Sequence, residues 1–346
     1  MTVKNRIARS AVHSFIGNSD GTVSEAELAM YEALARGGVG LLFTGHCSVS
    51  PLGMANETQT VVYDDRCLAG FRRLKETVAA HGAKVVAQIS HAGPRALYTE
   101  DLAAPSARAL KKGKHARALT PEEIAGIEAQ FVEAAARVQA AGLDGVQLHA
   151  AHSYLLSQFL DETFNWRSDA YGGSAENRLR IVRRIVEGIK ARCGEAFPVF
   201  VKINNDTETN DARYETDLVY MLRELAALGV EAVECSGCDF ISQPKTSRLY
   251  YLPRIARLRA AVDLPLLLVG GVRSLADMER VLEAGIDMVS LGRPLICEPD
   301  LLEKLRAGQE AASCVSCNRC FVLPKVKQGV RCVLHRKRKA AQSPQA

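Results

Sequence analysis

Ala141-Gly142-Leu143-Asp144-Gly145-Val146-Gln147-Leu148-His149-Ala150-Ala151-His152-Ser153-Tyr154 is the stretch that decides how this chain reads. A helical segment ends in glycine, an apolar strand follows at once, and the strand opens onto two imidazoles and a phenol. Glycine after a helix takes the left-handed conformation without a Cβ penalty, turning the chain back toward a sheet. The same unit recurs at Gly37-Gly38, Gly82, Gly229 and Gly285, before strand-like runs at 39–43, 84–89, 232–235 and 288–291. Runs at 199–203 and 266–269 follow prolines, and 7–12 supplies an eighth candidate strand.

Helices are expected at about 24–36, 66–81, 121–141, 174–193, 213–228, 252–262, 274–284 and 299–308. Thr120-Pro121-Glu122-Glu123 carries a capping hydroxyl, a first-turn proline and first-turn acids. Ser174 before Ala175-Glu176-Asn177 is a second N-terminal signal. Continuous apolar strands alternating with helices imply a parallel sheet covered on both faces. Eight such units predict an α/β fold, a (β/α)8 TIM barrel over residues 1–310. A short cysteine-containing C-terminal extension with a basic tail then occupies 311–346. A doubly wound open sheet is the alternative, but no glycine-rich dinucleotide fingerprint follows any strand.

The chain of 346 residues is 47% hydrophobic and 24% charged, enough for a large core. Part of its net charge of +5 comes from one run, His335-Arg336-Lys337-Arg338-Lys339. The body is therefore near neutral, which argues against a nucleic-acid partner. No apolar run approaches the roughly 20 residues needed to span a bilayer, and no signal-peptide core opens the chain. A cytoplasmic protein is expected, and a homo-oligomer. Cys47, Cys67, Cys193, Cys235, Cys238 and Cys297 are scattered and read as reduced thiols, whereas Cys314, Cys317, Cys320 and Cys332 cluster.

In such a barrel the site lies at the C-terminal ends of the strands. Those ends carry Ala11, Val12 and His13; Thr44 and Gly45; Gln88 and His91; His149 and His152; Lys202 and Asn204; Ser236 and Gly237; Gly270 and Gly271; Gly292 and Arg293. The mouth is rich in hydrogen-bonding groups and poor in carboxylates, which disfavours a magnesium or two-metal hydrolase. The last two strands both end in glycine, where backbone N–H groups and Arg293 can cradle a phosphate. His149 and His152 read as a polar anchor rather than a metal pair, since no acidic partner lies near them in sequence. Lys202 reads two ways: a Schiff-base nucleophile of an aldolase, or a fixed positive charge for an anionic cofactor edge.

Seven fragments occur in order: Lys4-Asn5-Arg6, Gln88-Ile89-Ser90-His91-Ala92-Gly93, Ala104-Pro105-Ser106, the segment 149–160, the segment 165–178, Gly270-Gly271, and Gly292-Arg293-Pro294. Each is weak alone; in register they resemble the Old Yellow Enzyme family of flavin-dependent oxidoreductases. The likeness is to its bacterial NADH:flavin oxidoreductase and 2,4-dienoyl-CoA reductase group, and it runs from Val3 to about Cys332. It implies FMN held non-covalently, with NADH or NADPH as hydride donor. By matching positions, Ser10, Ala11, Val12 and His13 line the isoalloxazine, and Gly45 and Gln88 bond its edge. Lys202 faces its anionic side, and Gly270, Gly271, Gly292 and Arg293 hold the phosphate. His149 and His152 grip the carbonyl oxygen of an activated alkene, or a nicotinamide, and Tyr154 protonates Cα after hydride reaches Cβ.

Departures from the pattern bear on substrate range. His13 stands where dienoyl-CoA reductases carry histidine and other members cysteine or threonine. Phe15 replaces a substrate-contacting tyrosine of one branch, and Pro94 replaces the usual arginine after His91-Ala92-Gly93. The segment that leads into the first strand and closes the barrel floor is expected to be short. Cys314-x2-Cys317-x2-Cys320-x11-Cys332 is similar to the ligand set of dienoyl-CoA reductases and trimethylamine dehydrogenases, with one residue fewer before the third cysteine. Four thiolates suit a [4Fe–4S] cluster, a zinc site with four cysteine ligands, or free thiols. The expected activity is an ene-reductase working by ping-pong hydride transfer. The alternatives are an iron–sulfur-assisted flavoprotein with an external electron partner, resembling the dienoyl-CoA reductases or amine dehydrogenases, and an aldolase acting through Lys202.

Overall fold

The computed structural model describes residues 1–97, 99–207, 212–322 and 329–334; the basic run 335–339 lies outside them. Eight parallel strands form the centre: β1 Ile7–Arg9, β2 Leu41–Phe43, β3 Lys84–Ser90, β4 Val146–Ala150, β5 Val199–Asn204, β6 Ala232–Ser236, β7 Leu266–Val269 and β8 Met288–Leu291. Each pairs with the next in sequence, and β8 pairs back onto β1. The sheet is therefore a closed barrel, which removes the open doubly wound alternative.

The strands are buried on both faces, yet they alternate in role with period two. Val146, Leu148 and Ala150 of β4, and Val199, Val201 and Ile203 of β5, pack outward into the main core. Ala8, Leu41, Phe43, Val86, Phe200, Ala232 and Leu267 point inward and fill the barrel floor. Phe43 and Phe200 meet edge to face at 5.5 Å, with the small residues Ala8 and Ala232 filling the same floor. Above that floor the inward positions are polar, and this is where the site begins.

The surrounding helices are α1 Glu25–Arg36, α2 Cys67–Ala79, α3 Pro121–Ala140, α4 Ala175–Cys193, α5 Ala212–Ala227, α6 Leu252–Ala261, α7 Leu275–Glu283 and α8 Leu301–Arg306. Ser24, Thr120 and Ser274 each form a reciprocal capping box with the residue three positions on. Two short helices, Leu155–Leu160 and Arg293–Cys297, sit at the ends of β4 and β8. None of the helices among the described residues is long and apolar enough to cross a membrane.

The structure differs from the sequence reading at three places. Strand β1 stops at Arg9, because residues 10–13 leave the sheet to line the barrel mouth. Between β3 and α3 an excursion carries three short strands, Ala103–Ala104, Arg108–Ala109 and His115–Ala118. Each is too short for periodicity to register. The extension beyond α8 folds back over the mouth: Val330 N–H donates to Ser14 O at 3.0 Å, and Ala312 N–H to Arg273 O at 2.8 Å.

Candidate active site

Beyond β4, His152 and Ser153 both adopt left-handed backbone, each with φ of 59°. That conformation costs a non-glycine residue roughly 1–2 kcal/mol. It is held by His152 N–H donating to Asn204 Oδ1 at 3.1 Å and Tyr154 N–H to Ala151 O at 3.3 Å. The turn folds Tyr154 back over His149, ring centroids 4.6 Å apart, with His152 5.3 Å from His149. His149, His152 and Tyr154 thus face one cavity of about 730 Å³ at the barrel mouth.

The second signature segment, 165–178, braces the short helix Leu155–Leu160 that follows this turn. Asn165 Nδ2 donates to Phe159 O (2.8 Å) and Tyr171 O (2.7 Å), and Arg167 Nη1 reaches Pro105 O and Leu119 O. Buried Arg178 donates to Leu160 O and pairs with Asp217. None of these three side chains lines the cavity.

Ser10, Ala11, Val12, His13 and Phe15 form one side of the cavity, and Gln88 and Lys202 its floor. Gly270, Gly271, Gly292 and Arg293 line it as well. Gly45 stands apart: its N–H is taken by Tyr31 Oη at 2.7 Å, and it does not line the cavity. His91 is also outside, its ring packed beneath Gly53. Gly270 and Gly271 have positive φ, and a Cβ at either would strike Tyr250, Tyr251 or Leu249. Gly292 differs, because a Cβ there would meet nothing within 4 Å.

The floor is one connected polar chain. Gln88 Nε2 donates to Gln147 Oε1 (2.8 Å), and Gln147 Nε2 to Glu234 Oε2 (3.0 Å). Lys202 Nζ lies 3.3 Å from Glu234 Oε2 and donates to Ser10 Oγ at 2.8 Å; Ser290 Oγ donates to Glu234 Oε1 at 2.7 Å. Burial pushes the Glu234 carboxyl up, but Lys202 and the Ser290, Ser10 and Gln147 bonds outweigh it and hold it below the usual range. Burial lowers the Lys202 ammonium, opposed by Glu234. Lys202 is thus engaged as a paired cation, which favours the cofactor-charge reading over the nucleophile.

The imidazoles around the cavity are neutral. Burial, followed by repulsion from neighbouring His152 and Lys202, drives His149 well below its ordinary value; burial and Lys202 do the same to His152. Burial holds His13 at about 4. Neutral imidazoles can each donate one hydrogen bond and accept another. His152 Nε2 lies 2.8 Å from Ser236 Oγ, while His149 Nδ1 is buried with no partner. Tyr154 is pushed up by burial, with Arg95 opposing, so its phenol keeps its proton.

Sequence reading missed five contributors. Gln147 and Glu234 lie two residues before His149 and Ser236, so strand alternation would have found them, whereas strand ends alone do not. His46 lines the cavity one residue beyond Gly45. Phe240 and Phe321 meet at 5.9 Å over the opening, and only the tertiary fold brings them together.

Cys314, Cys317, Cys320 and Cys332 line one small cavity together with Arg293. Cys297, read as scattered, contacts Cys332. Burial raises Cys314 and lifts Cys320 to about 11. Among the described residues no group of three or more His, Cys, Asp or Glu side chains is placed to hold a metal ion.

Residues 1–312 match the model of the NADH:flavin oxidoreductase / NADH oxidase family. The chain belongs to that family. It is 34% identical over 346 residues to an NADH oxidase of Thermoanaerobacter brockii, a match that takes in 96% of this chain and 53% of that protein. It is 30% identical over 307 residues to an NADPH dehydrogenase of Bacillus subtilis (strain 168), covering 86% of this chain and 89% of that one. The chain thus spans about half the length of the first relative and most of the second. Among solved structures, the old yellow enzyme homologue from Zymomonas mobilis superposes with a TM-score of 0.79 at 26% identity, over 91% of this chain and 92% of that chain.

Proposed function

We propose that this chain is an FMN-dependent NAD(P)H oxidoreductase that reduces activated C=C bonds of α,β-unsaturated carbonyl compounds. The observation that carries it is His149: a buried, neutral imidazole with an unpaired Nδ1, beside a protonated Tyr154, in the same cavity as the cation Lys202. An unpaired buried polar atom costs roughly 1–3 kcal/mol, and a bound ligand atom removes that cost. Family membership supports the reduced nicotinamide as donor, its relatives including an NADH oxidase and an NADPH dehydrogenase.

The cavity fits FMN. Gly292 leaves open space where a side chain would otherwise stand, and Arg293 beside it supplies charge for a phosphate. Lys202 would meet the anionic edge of the reduced ring, with Ser10, Ala11, Val12 and His13 along one side and Gln88 at its rim. When bound, FMN accepts hydride from the nicotinamide and passes it to the alkene. His149 and His152 hold the carbonyl oxygen and polarise the double bond. Tyr154 keeps a proton for Cα until charge develops there. Nicotinamide and alkene compete for the same imidazoles, so the two half-reactions alternate in ping-pong order.

The test is anaerobic stopped-flow spectroscopy of FMN-loaded protein. Reduction by NADH or NADPH followed by reoxidation with 2-cyclohexenone is expected. In Tyr154→Phe, reoxidation by the enone should slow by roughly a hundredfold or more while flavin reduction is little changed. Equal loss in both half-reactions would remove Tyr154 as the donor. Reduced protein that no enone reoxidises would remove the ene-reductase reading.

A further inference from the structure

Tyr154 Oη lies 3.3 Å from His46 Nε2, and the direction of that bond follows from groups whose roles are fixed. A backbone N–H only donates and a carbonyl only accepts. Gln59 Oε1 accepts from Ala55 N–H at 2.6 Å, and Gln59 Nε2 donates to His46 O at 3.0 Å, so the Gln59 amide has one orientation. Its Nε2 also lies 2.7 Å from His46 Nδ1. That nitrogen must accept, with Ser90 Oγ 3.3 Å away as its other neighbour. The imidazole proton is therefore on Nε2 and points at the phenol oxygen. A second proton on Nδ1 would face the Gln59 NH2 group, so the geometry also keeps His46 neutral. Gln59 is fully buried and His46 is 8% exposed, so water does not substitute for either bond.

We infer that His46 is the positioning residue for the proton donor: its Nε2–H donates to Tyr154 Oη, leaving the phenolic O–H to face the substrate and stabilising the phenolate that remains. This rests on the proton-donor reading of Tyr154. In the step, the Tyr154 Oη–H bond breaks and a Cα–H bond forms on the alkene whose Cβ has received hydride from the NAD(P)H-reduced flavin. The electron pair stays on Oη, where the His46 N–H meets it, and a solvent proton restores the phenol. A donor aimed at a charge that exists only after transfer assists the transition state more than the ground state. Burial, then the neighbouring His13 and His149, lowers His46 well below its ordinary value, in keeping with a donor that stays neutral.

Two measurements test this, one independent of turnover. In protein labelled with 15N-histidine, the His46 resonances, assigned by their loss in His46→Gln, should show a protonated Nε2 and a bare Nδ1. The opposite tautomer overturns the inference. In stopped flow, His46→Leu should slow flavin reoxidation by enone about tenfold to a hundredfold, with reduction by NAD(P)H changed less than about threefold. His46→Gln keeps a side-chain N–H and should recover most of the loss. Added to Tyr154→Phe, His46→Leu should cost nothing further, because the residue acts only through the phenol. Additive losses, or equal slowing of both half-reactions, overturn it. Slow reoxidation in Tyr154→Phe with normal reoxidation in His46→Leu overturns this inference alone; normal reoxidation in Tyr154→Phe removes the donor reading as well.

Discussion

Lys202 and Glu234 form an ion pair inside the barrel, 3.3 Å apart on adjacent strands, with side chains 3% and 0% exposed. Taking two charges out of water is costly, and the pair survives because Ser10, Ser290 and Gln147 satisfy the remaining lone pairs and protons.

Breaking that pair from one side should be severe. Glu234→Leu leaves a buried ammonium unpaired, and a loss of roughly 3–5 kcal/mol is expected in urea unfolding. The double variant Lys202→Met/Glu234→Leu should recover most of that stability yet retain FMN poorly through gel filtration. A double variant that holds FMN normally would remove Lys202 from the cofactor's charge balance.

Asn165 offers a separate test of what the second signature segment does. Its amide satisfies two buried carbonyls, Phe159 O and Tyr171 O. Asn165→Ala should cost roughly 2–6 kcal/mol of stability, at about 1–3 kcal/mol for each of the two groups left unpaired. The rate of flavin reduction by NAD(P)H in the folded fraction should be nearly unchanged. A large rate loss with normal stability would place Asn165 in the chemistry instead.

The glycines lining the cavity should separate by role. Gly271 has φ of 77°, and a Cβ there would lie 2.6 Å from Leu249 N, so Gly271→Ala should lower the thermal midpoint of the apoprotein. Gly292→Ala meets nothing, and the apoprotein midpoint should not move. Its FMN affinity should fall, because the methyl occupies the space proposed for the phosphate. An unchanged affinity would put the phosphate elsewhere.

The buried histidines give stability a pH slope of known sign. Burial holds His91 at about 4 in the folded protein, against roughly 6.5 in an unfolded chain. Below about pH 6.5 the unfolded state takes up a proton that the folded state refuses, so stability falls as pH falls, until His91 titrates near 4. The full effect is on the order of 3 kcal/mol for this one residue. His46, His149 and His152 are lowered too and act in the same direction. Urea midpoints measured from pH 8 to 4.5 should fall more steeply in the parent protein than in His91→Gln. Parallel curves would contradict the buried neutral imidazole.

Much of this architecture is local information. The glycines at 37–38, 82, 142, 229 and 285 announce five returns to the sheet, because glycine turns a helix end back without a steric penalty. Capping residues such as Thr120 mark a helix start for an equally local reason. The same locality explains the failures. Arg108–Ala109 and its neighbouring strands are too short to carry a period. The chemistry around His149, His152 and Tyr154 was legible because those residues crowd one strand end. Glu234 was not read, because it lies two residues short of its strand end, where only alternation along β6 puts it on the inward face shared with Ser236.

By itself, then, the sequence determined the order of strands and helices, and the cluster of imidazoles and phenol beyond β4. Tertiary structure decided everything that depends on closure. Pairing β8 with β1 turned a parallel sheet into a ring and placed residues far apart in sequence around one cavity. It set Glu234 against Lys202, and it set Gln59 and His46 behind Tyr154, which lies 108 residues away from His46. The direction of a hydrogen bond needs both partners and their other neighbours, and these are known only once the barrel has closed.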